Sequence, residues 1–517
     1  MPKIEINEQF KKALDAVEEG KSVFITGKAG TGKSTLLNYF RNKTKKSVVI
    51  LAPTGVAAVN VKGETIHSFF RFKPDITPRE AEEIAKKARR NKDKKDLFNK
   101  LETIVIDEVS MVRADLLDCA DIFLKAIGKN KLPFGGKQMV FIGDLYQLPP
   151  VVIGRDREVF KTQYDSCYFF SAKAMKDFKI EIIELEKVYR QKDGKFIEIL
   201  NSIRNNTVED NHLKTLNERF RRNIDPENFE KGQIYLATTN QLAEKINKIN
   251  LEKLPEKKYI LKGEIEGKFD RKYLPTDPEL EVKKGAQVML LNNDSRGRWI
   301  NGTVGEIAGF GEDGIKIKLQ NGKIVFVSEF QWEIMETYFD ASIKSLEKRI
   351  LGSFIQYPIK LAWAITVHKS QGKTFDKVII DLSSGIFACG QTYVALSRCR
   401  TLEGITLKKE ITKSNIFTDW KVVRYLTSYQ YNLSEKKCSK EDKIEIIRQA
   451  IKNKTKLRII YLKAQDQKSE RIILPLSVGE MEYLGKTYLG MEAHCFLRNE
   501  ERVFRVDRIL EMELLNC

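Results

Sequence analysis

The sequence predicts an α/β chain built on parallel sheets, and three observations carry that prediction. Between residues 8 and 150, short β-branched runs alternate with helical patterns. The runs are apolar on both faces, as strands must be when helices cover a parallel sheet on each side. Each run also ends in a loop rich in Gly, Pro, Thr or Asp, and in open α/β sheets ligands bind at those carboxyl ends.

The elements follow in order. A helical pattern over 8–19 precedes a strand at 22–26, and a second helix over 33–41 precedes strands at 46–51, 102–106 and 138–142. Residues 77–100 carry runs such as Lys86-Lys87-Ala88-Arg89-Arg90. They read as a solvated helix with internal ion pairs rather than as a dedicated nucleic-acid contact. From residue 176 a second α/β pattern opens, with strands at 180–185 and 233–238. Gly-punctuated β sequence interrupts it from about 283 to 356. There Asn321-Gly322, between alternating apolar runs, predicts a hairpin, and a small inserted β-barrel accounts for the segment. The second pattern resumes at Ile359, and the polar stretch 434–442 reads as a linker. The expected divisions are 1–175, with a small insertion near 60–76, then 176–430 and 437–517.

Composition narrows the function classes. Of 517 residues, 42% are apolar, enough for several packed cores, which excludes global disorder. The net charge of +19 favours a polyanionic partner, nucleic acid first. The 7 cysteines show no zinc-knuckle spacing and only 4 His accompany them, so no metal cluster is expected and a reduced intracellular protein is. The first residues are charged where a signal peptide is apolar, and no run reaches the roughly 18 apolar residues of a membrane span. A soluble, cytoplasmic or nucleoid-associated protein is expected, with no membrane partner.

The chemistry begins at Gly27-Lys28-Ala29-Gly30-Thr31-Gly32-Lys33-Ser34, which fits G-x-x-x-x-G-K-[ST] between a predicted strand and helix. Its glycines let the backbone wrap a phosphate, and the helix start attracts the anion. Lys33 is expected to bridge the terminal phosphates and Ser34 to hold Mg²⁺. An apolar strand ending in Asp107-Glu108 supplies the acidic partners: Asp107 toward the metal, Glu108 toward the attacking water. The segment Gly143-Asp144-Leu145-Tyr146-Gln147-Leu148-Pro149-Pro150 reads either as a γ-phosphate sensor or as a turn closed by Pro-Pro.

In this order the motifs resemble the Pif (petite integration frequency) family of superfamily 1 DNA helicases, the branch that moves 5′→3′ on single strands. Besides the phosphate loop, the resemblance rests on Ala52-Pro-Thr54-Gly-Val-Ala-Ala58, Gly63-Glu-Thr65-Ile-His67-Ser68-Phe69-Phe70 and Asp107-Glu-Val-Ser-Met-Val112. It continues through Pro133-Phe-Gly-Gly136, the Gly143–Pro150 stretch, Leu185-Glu-Lys-Val-Tyr-Arg190-Gln191 and Asn301-Gly302-Thr-Val-Gly305. It closes with His368-Lys369-Ser370-Gln371-Gly372-Lys-Thr374 and Tyr393-Val-Ala-Leu-Ser397-Arg398.

That resemblance implies a P-loop NTPase of two RecA-like lobes with ATP and Mg²⁺ in the cleft. Gly27, Ala29, Gly30, Thr31, Gly32, Lys33, Ser34, Thr35 and Gly372 would surround the nucleotide, with Ser34 and Asp107 on the metal. Gln9 would read adenine, its other reading being a helix cap. Arg190 and Arg398, placed on the second lobe, would act as arginine fingers, and Gln147 and Gly372 as sensors. Thr54, His67, Ser68, His368, Lys369 and Ser370 match positions that grip the single-strand backbone. Phe69 and Phe70 offer stacking platforms or core packing, with equal standing, and Trp363 reads as core. The insertion after Thr65 and the inserted barrel would act as wedge and clamp. Substrates implied are single-stranded DNA and forked or tailed duplexes, with G-quadruplexes and RNA–DNA hybrids, in genome maintenance, the protein acting as a monomer.

The last module, through Lys486-Thr487-Tyr488-Leu489-Gly490 and Arg502-Val-Phe504-Arg505-Val-Asp507-Arg508-Ile509, resembles a WYL domain, a small β-barrel of bacterial regulators, with Thr487 where the family has Trp. The resemblance implies a bacterial source. Arg502, Arg505 and Arg508 line a basic pocket in one reading and lie on a solvated edge strand in the other. The competing class is a non-enzymatic, WYL-led DNA-binding regulator. No helix-turn-helix reader supports it, and the acidic and arginine residues of turnover are all present.

Overall fold

The computed structural model describes residues 6–515 apart from 153, 155, 192, 226–229, 270, 272–273, 313, 341, 343–344, 384, 464–465 and 484. The charged residues before Ile6 and the last cysteine, Cys517, lie outside the described residues. Two compact units divide the chain: one runs to Phe417 without 204–207, the other joins 204–207 to residues from Thr418 onward. Among the described residues no helix is long and apolar enough to cross a membrane.

In the first unit, α1 (Glu8–Glu18) starts where the Asn7 side chain accepts the Phe10 amide at 2.8 Å. Then follow β1 (Val23–Gly27), α2 (Lys33–Lys43), β2 (Val48–Ala52), α3 (Gly55–Asn60), β3 (Glu64–Thr65), α4 (Ile66–Phe70), α5 (Pro78–Arg90) and α6 (Lys92–Lys100). β4 (Thr103–Ile106), α7 (Ala114–Gly128), β5 (Gln138–Ile142), α8 (Asp156–Gln163) and β6 (Glu181–Leu185) complete the first lobe. Its six strands pair in the order β3-β2-β4-β5-β1-β6, all parallel, over a core of Phe10, Val23, Ile25, Leu36, Leu37, Val105 and Val140.

One expected boundary moves. The run at 180–185, assigned to the second lobe, is β6 and pairs with β1 from Val23↔Glu181 to Gly27↔Leu185. Its Ile182, Ile183 and Leu185 are buried, and Ile183 and Leu185 complete the first core. This places the first crossing between lobes after residue 185 rather than at 176.

The charged stretch 77–100 is α5 and α6. A capping box at Thr77/Glu80 starts α5, which buries Ala81, Ala85 and Ala88 while Lys86 pairs with Glu82 in solvent. Between these helices and α7 lies an aromatic cluster of Phe69, Phe70, Phe72, Phe98 and Phe123, with Phe70 and Phe123 centroids 5.2 Å apart. Phe69 and Phe70, 8% and 1% exposed, are therefore core and not stacking platforms. Truncation of Phe70 to alanine is expected to destabilise the first unit by about 3–5 kcal/mol, read as a fall in the midpoint of chemical unfolding.

After α9 (Gly194–Arg204) and α10 (Asp210–Asn217), the second lobe begins with β7 (Ile234–Ala237) and α11 (Asn240–Lys253). The expected interruption is longer than 283–356. It comprises β8 (Lys258–Lys262), β9 (Glu264–Gly267), β10 (Glu279–Lys283), β11 (Gln287–Leu290), β12 (Val304–Gly311), β13 (Gly314–Leu319), β14 (Ile324–Val327), β15 (Phe330–Asp340), β16 (Ser345–Gln356) and β17 (Ile359–Leu361). These strands divide among three antiparallel sheets: β14-β13-β12-β11-β17, β10-β8, and the long β15–β16 hairpin with β9. The hairpin expected at Asn321-Gly322 joins β13 to β14, with Gly322 at φ 81°.

The lobe resumes with β18 (Ala364–Thr366), β19 (Val378–Ile380), α12 (Gln391–Leu396) and β20 (Ile405–Leu407), giving a parallel sheet β18-β7-β19-β20. Trp363 sits between strands, half-buried against two cores.

The second unit holds α13 (Trp420–Lys437), α14 (Lys440–Asn453), β21 (Leu457–Lys463), β22 (Gln467–Tyr483), β23 (Lys486–Cys495), β24 (Glu500–Arg505) and β25 (Ile509–Leu514), in the sheet order β24-β23-β22-β21-β25. The expected linker at 434–442 is instead two helix ends. The buried Ser434 hydroxyl donates to the Leu510 carbonyl at 2.7 Å and accepts Lys443 Nζ at 2.8 Å, while Ser439 caps α14 with Asp442. Polar residues there satisfy buried backbone and helix ends, which a composition reading mistakes for solvation. Arg502 lies on the edge strand β24, paired with Glu500, and Arg505 pairs with Asp507 at 2.6 Å. Arg502 and Arg505 thus fit the edge-strand reading, whereas Arg508 follows β24 in a short helical turn, Val506–Arg508, and is half-buried.

Candidate nucleotide and nucleic-acid site

The phosphate loop follows from the parallel order of the sheet, with β1 held between β5 and β6 and its carboxyl end leading into α2. Gly27, Gly30 and Gly32 hold φ of 151°, 83° and 88°, which glycine adopts without a Cβ clash. At Gly30 a Cβ would meet Arg190 Cβ at 2.5 Å, and at Gly27 the Leu185 backbone oxygen at 2.5 Å. Thr31 Oγ1 donates to the Lys28 carbonyl at 2.9 Å, and Lys33 Nζ donates to the carbonyls of Gly27 and Lys28 at 2.7 and 3.0 Å. Ser34 and Thr35 are exposed in the first turn of α2, where amides and helix dipole favour an anion.

Strand β4 delivers Asp107, 7% exposed, and Glu108 takes up a left-handed backbone at φ 50°. Burial and the adjacent Glu108 charge push the Asp107 carboxyl up to about 7. Burial also raises Glu108, opposed by the positive charges of Lys33, Arg398 and Arg190, while Asp144 adds repulsion. Three sequence-predicted residues, Lys33, Arg190 and Arg398, are thus brought with Asp144 to one carboxylate. A divalent cation would relieve the penalty on Asp107. With the Ser34 hydroxyl, Asp107 fits Mg²⁺, which takes few protein ligands and relies on phosphate oxygens and water. Among the described residues no group of three or more His, Cys, Asp or Glu could hold a metal alone.

Gln147 is buried, and its side-chain amide donates to Asp144 at 3.2 Å. A Cβ at Gly390 would meet the Gln147 carbonyl at 2.8 Å, so the N-terminus of α12 abuts this loop. Arg190, expected on the second lobe, follows β6 of the first and lies against Gly30; its guanidinium reaches across to donate to the Ser397 carbonyl at 3.2 Å. Gln191 donates to the carbonyls of Ser397 and Cys399. Arg398, 1% exposed, comes from the second lobe as expected. Its fork donates to Val394 O at 2.8 Å, Ser370 O at 3.3 Å and Ser397 Oγ at 2.8 Å, and burial pushes it down to about 9.

Gln9 is not the helix cap, which is Asn7. Its side-chain amide donates to Glu186 at 3.0 Å and its oxygen accepts the Glu186 amide at 3.2 Å, next to the loop that carries Tyr189 and Arg190. Gly372, at φ 74°, has open space around it.

Of the nucleic-acid candidates, Thr54 and the pair His67/Ser68 follow the neighbouring strands β2 and β3 and are half-buried. Thr54 also caps α3, its hydroxyl accepting the Ala57 amide at 3.3 Å. His368 and Lys369 are exposed after β18. Ser370 departs from the expected set: it is fully buried, and its hydroxyl donates to the Val367 carbonyl at 2.6 Å. That hydroxyl is committed to closing a tight turn, so it shapes the loop that presents His368 and Lys369.

Sequence reasoning missed four contacts. Lys373 Nζ donates to Asn301 Oδ1 at 2.7 Å, and Asn301 Nδ2 donates to Asn60 Oδ1 at 3.1 Å, tying second lobe, insertion and α3 together. The buried Glu64 carboxylate accepts the Thr337 amide at 3.0 Å and its hydroxyl at 2.9 Å, joining β3 to β15. Tyr393 Oη accepts the Ala29 amide at 2.9 Å. Asn301 and Tyr393 stand inside recognised motifs, which was the available signal; Thr337 carries none.

The profile of PIF1-like helicases matches residues 5–214, and that of the WYL domain matches residues 442–514. The ATP-dependent DNA helicase Pif1 of Bdellovibrio bacteriovorus is 32% identical over 434 residues, 83% of this chain and 93% of that protein. A crystal structure of Bacteroides sp Pif1 in complex with ADP-AlF4 is similar with a TM-score of 0.76 and 36% identity, over 83% of this chain and 98% of that one. Bacteroides Pif1 in complex with ADP-AlF3 and ssDNA reaches a TM-score of 0.59 at 37% identity, again over 83% and 98%.

Proposed function

Because the chain belongs to the PIF1-like helicase family, with a WYL domain at its C-terminal end, and is an ATP-dependent DNA helicase, we propose that it translocates 5′→3′ along single-stranded DNA and opens forked or tailed duplexes ahead of it. The observation that carries this reading is the convergence of Lys33, Arg190 and Arg398 on Glu108 at the seam of the two lobes. Mg²⁺ held by Asp107 and Ser34 would supply neutralisation of the phosphate charge. Lys33 and the loop amides hold the phosphates, Asp107 and Ser34 hold the cation, and Glu108 takes a proton from the attacking water. Arg190 and Arg398 stabilise charge spread over the equatorial oxygens, for which a planar guanidinium is suited. Asp144 and Gln147 report the γ-phosphate to α12.

The same seam reaches the DNA loop. Arg398 bonds the Ser370 carbonyl, within the turn that carries His368 and Lys369. A change at the phosphate therefore changes how that turn is held, and Thr54, His67 and Ser68 grip the strand from the first lobe. Alternating grip converts closure and release into steps in one direction. Backbone phosphate contacts of this kind carry little sequence preference, so G-quadruplexes and RNA–DNA hybrids fall within the proposed substrates.

Unwinding assays on duplexes with a 5′ tail, a 3′ tail or a fork test the reading. The 5′-tailed and forked substrates are expected to open in an ATP-dependent manner and the 3′-tailed one to stay closed. Opening from the 3′ tail overturns the proposed polarity.

A further inference from the structure

Tyr393 is 3% exposed on the short helix α12 of the second lobe, and its phenol oxygen accepts the amide of Ala29, inside the phosphate loop of the first. Every residue of α12 is buried. At one end Gly390, at φ 73°, leaves no room for a side chain: a Cβ would clash with the Tyr146 carbonyl and lie 2.8 Å from that of Gln147. At the other end the Ser397 carbonyl accepts Arg190 and Gln191 from the first lobe. The helix thus touches the phosphate loop, the Gln147 loop and the Arg190 segment together, and Tyr393 is its only side chain bonded to the loop that wraps phosphate among the described residues.

The tyrosine also faces the arginines. Burial lowers both Arg190 and Arg398, which line the same seam. We infer that Tyr393 is a positioning residue that fastens the second lobe to the phosphate loop, so that closing the cleft and setting the loop for hydrolysis are one event. The inference rests on the reading of the seam as the ATP site.

Tyr393→Phe keeps the ring in its slot and removes one hydrogen bond. A net value of about 1 kcal/mol for such a bond predicts roughly a five- to tenfold loss. The loss is expected in kcat of the DNA-stimulated ATPase, with the KM for ATP within about twofold and the melting temperature unmoved. An unchanged kcat, or a change in KM alone, overturns the inference. Gly390→Ala, which pushes α12 off the Gln147 loop, should give the same kcat defect. The double variant should be no worse than Gly390→Ala alone, since both act on one contact; additive losses overturn the coupling. A wild-type protein without DNA-stimulated ATPase would instead refute the reading of the seam itself.

Discussion

Glu108→Gln is expected to cut kcat by two to four orders of magnitude, the usual worth of a positioned general base, while affinities for ATP and single-stranded DNA stay near wild type. The amide keeps the shape of the side chain and loses only the ability to accept a proton. Lys33, which holds the phosphates, and the exposed His368 and Lys369 are left in place. Quench-flow turnover and fluorescent-nucleotide binding on the same preparation separate the two effects. A fall in nucleotide affinity that accounts for the lost turnover would assign Glu108 to the architecture of the seam rather than to the reaction.

The second large effect is expected from Arg398→Ala, a loss of about 10³-fold or more in DNA-stimulated kcat, as for other arginine fingers. Lysine should not rescue it, because a point charge on a flexible stem cannot replace a planar fork that bonds several acceptors at once. The structure adds a second expected defect. Arg398 donates to the Ser370 carbonyl and lies fully buried behind the turn that presents His368 and Lys369. Its removal should therefore lower the ratio of DNA-stimulated to basal ATPase, which removal of Lys33 would not do selectively. An Arg398→Ala protein whose two rates fall by the same factor would separate the fingers from DNA sensing.

Much of this was legible in the sequence because the chemistry demands particular residues at strand ends. The phosphate loop, Asp107-Glu108 and the Gly143–Pro150 segment all fall where a parallel sheet delivers them. What was not legible depends on pairing partners far apart in the chain. A run such as 180–185 has the same local pattern in either lobe, and only its register with β1 makes it a first-lobe strand and carries Arg190 to the phosphate loop. Ser370 has the residue type of a phosphate contact, yet its hydroxyl closes the turn. The polar run 434–442 hid two caps and a buried serine. Phe69 and Phe70 could be decided only by the cluster that surrounds them.

The backbone at Glu108 has a consequence for selection. A glutamate held at φ 50° sits in a region that disfavours non-glycine residues, and burial disfavours its charged form. Both features store roughly 1–3 kcal/mol against the fold. Glu108→Gly should therefore give an inert protein with a higher midpoint of denaturation than its active parent. A screen for heat resistance alone would drift toward losing this side chain, and only a demand for turnover would keep it.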